Sequence, residues 1–138
     1  MGHAGHPAID PHIPLLEETL APWKHDIGSD YPGYRNHIYR MVHFCSALRE
    51  CTDDERRKTI IAGCFHDLGI WSDRTADYLP PSIARAHRYL QQNSLEPWSA
   101  EIELLIDNHH RLREHAERDI RWSRYSAGPT SSTCRSVS

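Results

Sequence analysis

TDDERRKTIIAGCFHDLGIW, residues 52–71, opens on Thr52 and Glu55, three positions apart. That spacing is a capping box, in which the Thr hydroxyl and the Glu carboxylate satisfy free amides at a helix start. The helix it announces runs through IIAGCF, apolar nearly all round, as expected of a helix buried in the middle of a bundle, and Gly69 is placed to end it. The stretch closes on His66-Asp67-Leu68-Gly69, which has a near twin at His25-Asp26-Ile27-Gly28. With 11 His and 10 Asp in 138 residues, chance supplies roughly one His-Asp pair, so the surroundings must separate the two. Pro22, Gly28, Ser29, Pro32 and Gly33 make residues 22–33 read as a loop and its His-Asp pair as incidental.

Outward from this helix the pattern stays helical. A short amphipathic helix fits Pro14 to Ala21, Pro being favourable in a first turn. A second fits Tyr34 to Glu50, with Tyr34, Ile38, Met41, Val42, Cys45 and Leu48 recurring at three and four and His37 on the same stripe. Beyond a loop through Pro80 and Pro81, Ser82 reads as the cap of a helix whose inward residues are Ile83, Ala86, His87 and Leu90. A fifth starts near Pro97 and carries Trp98, Ile102, Leu105, Ile106 and Leu112 on one face, with His109 at its centre and His110 about 100° away. No long alternation of apolar and polar residues argues a strand, so the fold class is all-α. The organisation is a loose segment over 1–13, a helical domain over 14–113, and an extension over 114–138 whose Ser- and Thr-rich composition is too poor in apolar groups to pack.

Composition removes several function classes. A net charge of -3 offers no general attraction to nucleic acid or an anionic membrane surface, and no run of 18 apolar residues can span a bilayer. The opening MGHAGHPAIDPHIP lacks the pattern of a secretory signal, so the expected location is the cytoplasm. Cys45, Cys51, Cys64 and Cys134 show no zinc-like spacing, and three of them lie in segments that read as helical, as suits reduced thiols. No Ser or Cys has a motif that would activate a nucleophile, and there is no glycine-rich phosphate loop.

Histidine is the outlier. Four helices each aim one at the shared core: His37, His66, His87 and His109, the second accompanied by Asp67. A neutral imidazole needs a partner for its donor and another for its acceptor, and four in one apolar core are hard to satisfy by hydrogen bonds alone. A metal takes one nitrogen from each ring and leaves the other to an outer acceptor. Imidazole and carboxylate without thiolate suit iron, manganese, zinc, nickel or cobalt, among which the ligand types do not choose.

The ordered set of His37, His66-Asp67, His87 and His109 resembles the HD-domain superfamily of metal-dependent phosphohydrolases over roughly residues 34–112. The resemblance implies an HD-domain helical bundle of about five to six helices. It implies that His37, His66 and Asp67 bind one divalent metal and that Asp67 bridges to a second held by His87 and by His109 or His110. The activity implied is hydrolysis of a small phosphate ester or nucleotide by a metal-activated water, with Asp67 as the central catalytic ligand. The substrate would be an anionic small molecule, with Arg40 and Arg111 as candidate contacts and Arg85 and Arg88 beside the later histidines as others.

Two positions depart from the family pattern. Ile70 stands where many hydrolytic members carry Lys. After the histidines only Asp119 is available for the last aspartate ligand: either it serves at a short interval, or the ligand is missing and the carboxyl end is shortened or altered. Three functions are therefore expected in competition: the phosphohydrolase, an HD-fold diiron oxygenase, and a degenerate HD module that binds without turnover.

Overall fold

The structure, a computed structural model, describes residues 12–48 and 50–111. The expectations for the first eleven residues and for 114–138, and with them Asp119, Leu112 and Cys134, lie outside the described residues. The chain divides into Met1–Asp107 and Asn108–Ser138.

Every regular element of the described residues is helical, as the sequence pattern predicts. In the first unit these are α1 (Pro14–Leu20), α2 (Lys24–Ile27), α3 (Tyr31–Leu48), α4 (Asp53–Phe65), α5 (Gly69–Ser72), α6 (Leu79–Gln92) and α7 over residues 99–107. Residues 108–111 open the second unit and are helical too.

The capping box is formed as expected. Thr52 Oγ1 accepts from the Glu55 amide at 3.1 Å and Glu55 Oε1 accepts from the Thr52 amide at 3.0 Å. The helix it starts is the centre of the unit: α1, α3 and α6 all pack on α4, and Ile60 through Gly69 are buried without interruption. Leu16 and Leu20 of α1, Ile38 and Val42 of α3, Ala86 and Leu90 of α6 and Ile102 and Ile106 complete this core.

Several local expectations change. Residues 22–33 form helical turns over Ala21–Trp23, Lys24–Ile27 and Gly28–Asp30, and α3 begins at Tyr31, with Pro32 in its first turn where a missing amide costs nothing. Pro80 and Pro81 likewise sit in the first turn of α6. Ser82 is therefore inside that helix and buried, and its hydroxyl accepts from the Gly69 amide at 2.8 Å, so it anchors another segment and caps nothing. Gly69 does not end α4. That helix stops at Phe65, and Gly69 begins α5. A Cβ there would strike the Tyr78 carbonyl oxygen and come within 2.8 Å of Pro81 Cγ, so glycine is needed for close approach. At the other end of the α3 stripe, Leu48 is 68% exposed, beyond Val42, the last buried residue of the helix.

Candidate metal centre

His66 and Asp67 follow the last residue of α4 and are 5% and 4% exposed. His66 still has helical dihedrals (φ -60°, ψ -33°), and the chain then turns through residues 66–68 into α5. The opposite side comes from α3. Gly63 lets that helix approach: a Cβ on Gly63 would stand 3.1 Å from Ile38 Cγ2. His37, next to Ile38, is half-buried, and its ring centroid lies 5.4 Å from that of His66. One nitrogen from each ring and a carboxylate oxygen of Asp67 lie within 4.8 Å of one another.

The tautomer of His66 follows from its neighbours. Nδ1 is 2.6 Å from the carbonyl oxygen of Gly63, which only accepts, so Nδ1 carries a proton. The other ring nitrogen, Nε2, stands 3.3 Å from Asp67 Oδ2, a distance at which a proton on the ring or a shared cation joins the two. A carbonyl holding one histidine nitrogen while the other faces a ligand position is the usual outer support of a metal-bound imidazole. Two imidazoles and one carboxylate are a fit donor set for a first-row divalent ion.

The nearby thiol does not compete. Cys64 is fully buried with Sγ directed at the Leu16 carbonyl oxygen (3.9 Å), and burial pushes its pKa up, so it stays protonated.

Tyr34 was expected only as a core residue, yet it touches this site. Its hydroxyl donates to the Cys64 carbonyl oxygen (2.9 Å) and accepts from the Asp67 amide (3.2 Å). Its ring stands 5.8 Å from His66 and 4.7 Å from Trp71, whose Nε1 donates to Asp30 Oδ2 at 3.0 Å. The signal in the sequence was the spacing: Tyr34 lies three before His37, on the same side of α3.

The other expected site residues are placed differently. His87 of α6 is outside the three-residue group. Its Nε2 lies 3.1 Å from Glu103 Oε1 of α7, an ion-pair distance, though off the line of a hydrogen bond. Glu103 was not anticipated, because the pairing joins two helices 16 positions apart. His109 and His110 are half-buried and Arg111 is exposed, and all three belong to the second unit. Arg40 and Arg88 are exposed. Arg85 is engaged by Asp73 Oδ1 at 3.1 and 3.2 Å and lies over the Trp23 ring. His25 and Asp26 are exposed on α2, in keeping with an incidental pair. Among the described residues no helix is long and apolar enough to cross a membrane.

No family model, curated protein or solved structure matches the chain.

Proposed function

We propose that the chain is an HD-type metal-dependent phosphohydrolase acting on a small phosphate ester or nucleotide, with His37, His66 and Asp67 holding a divalent cation. The observation that carries this reading is the convergence of His37, His66 and Asp67, one nitrogen from each ring and a carboxylate oxygen lying within 4.8 Å of one another, with His66 Nδ1 held by the Gly63 carbonyl oxygen. When bound, such an ion supplies a Lewis acid that acidifies water and stabilises negative charge on a phosphoryl oxygen. The protein's share is to hold the ligands. Gly63 fixes the His66 tautomer, and the α4 core behind the pair keeps bulk water from its inner side. In the same reading the protein works in the cytoplasm, where a buried thiol such as Cys64 stays reduced.

The test is metal content after anaerobic, reducing purification, followed by assays of phosphate release and oxygen uptake. Bound manganese, nickel, cobalt or zinc with oxygen-independent phosphate release supports hydrolysis. Iron with oxygen uptake rejects it in favour of an oxygenase. Metal content unchanged in Asp67→Ala refutes the site, and a protein that takes up none of these metals is the inert module.

A further inference from the structure

We propose that Tyr34 is the positioning residue of this site: its hydroxyl sets the turn that puts Asp67 at ligand distance from His66. The inference rests on the reading of His37, His66 and Asp67 as metal ligands and adds a residue whose side chain binds no metal.

In an uninterrupted helix the Asp67 amide would bond to the carbonyl four residues earlier, that of Gly63. That oxygen carries the His66 ring at 2.6 Å. The amide is received instead by Tyr34 Oη at 3.2 Å, while the single hydroxyl hydrogen goes to Cys64 O at 2.9 Å and the Gly63 oxygen stays at a marginal 3.4 Å. One phenol thus spans the point where α4 ends, joining its last turn to the backbone of the carboxylate ligand. Tyr34 also stands one turn before His37 on α3, so the residue that fixes Asp67 comes from the helix that supplies the opposing imidazole. The group is buried, 5% exposed, so a lost partner is costly to leave unreplaced.

Tyr34→Phe removes one oxygen and keeps the packing against His66 and Trp71. Tyr39→Phe is the control: it lies on the same helix, and its hydroxyl accepts from the Ile13 amide (2.9 Å) and donates to Glu17, away from the ligands. Co2+ titrations followed by visible absorption are expected to show affinity about tenfold weaker in Tyr34→Phe, with an altered absorption envelope, and unchanged within a factor of about two in Tyr39→Phe. A Tyr34→Phe protein that melts lower but binds Co2+ with wild-type affinity and spectrum overturns the proposal, since a purely structural tyrosine behaves so.

The second measurement needs no metal. In the wild-type protein under chelator, the Asp67 amide is expected to exchange with D2O slowly, and at least tenfold faster in Tyr34→Phe. Fast exchange in the wild type, or equal rates in the two, overturns the proposal, even where Tyr34→Phe fails to fold. Absence of Co2+ uptake by the wild type, by contrast, counts against the metal reading and leaves the amide exchange to decide the role of Tyr34.

Discussion

The amide of Gly69 donates to Oγ of Ser82 over 2.8 Å, and there is no room between α5 and the start of α6 for a side chain. Gly69→Ala would set a methyl against the Tyr78 carbonyl oxygen, a backbone atom that cannot swing aside. We expect a loss of about 3 kcal/mol, the upper part of the overpacking range, read as a lower urea midpoint. Ser82→Ala leaves the buried Gly69 amide without this acceptor and costs about 1–3 kcal/mol.

Thr52→Ala removes a cap at the end of α4 remote in sequence from His66. The expected cost is about 1 kcal/mol in chemical denaturation. Co2+ affinity is expected to stay at the wild-type value, because the cap acts on the first turn while the ligands follow the last. A cap variant that also loses metal would show that the whole helix shifts as a body.

Glu17 contributes to the acid limb of the fold's pH dependence. The Arg35 guanidinium hydrogen-bonded to it lowers the carboxyl pKa, with a further hydrogen bond from Tyr39 and against the effect of burial. A depressed carboxylate pKa contributes stability that is present above the unfolded value, near 4.5, and is lost as pH falls through the folded value. Glu17→Gln should cost about 1–2 kcal/mol at pH 7, and less as pH falls through the folded value. Tyr31 and Tyr39 act at the other end. Burial raises both phenols above 10, so their share is complete below pH 10 and lost as pH rises through the folded values. Urea midpoints at pH 3, 7 and 11 check both limbs.

Metal linkage follows from the proposed ligands. An ion present at about 100 times its dissociation constant raises stability by about 2.7 kcal/mol, and chelator removes the gain. Asp67→Asn should abolish that gain. Urea midpoints of both proteins, with and without chelator, check this.

Much of this fold is legible along the chain where its causes are local. The Thr52–Glu55 box, the proline at the head of α1 and the apolar run before His66 each act within one or two helical turns, and each is where the residues put it. The site is legible to the same degree. His66 and Asp67 stand at the end of the buried helix, and His37 faces them from the stripe of α3. The misread residues depend on contacts between distant segments. Gly69 was assigned a conformational role, and its requirement is the space taken by Tyr78, Pro81 and Ser82. Ser82 looks like a cap because it precedes an apolar stripe, but Leu79–Pro81 had already started the helix.

The sequence by itself determined the helical class, the order of the principal helices and the adjacency of the proposed ligands His66 and Asp67, because capping, periodicity and adjacency are properties of short segments. Only the tertiary structure decided that His87 turns to Glu103 and stays outside the group of His37, His66 and Asp67, and that the hydroxyl of Tyr34 receives the Asp67 amide. Those outcomes depend on how closely helices approach, at Gly63 against Ile38 above all, and a distance between helices is written in no one of them.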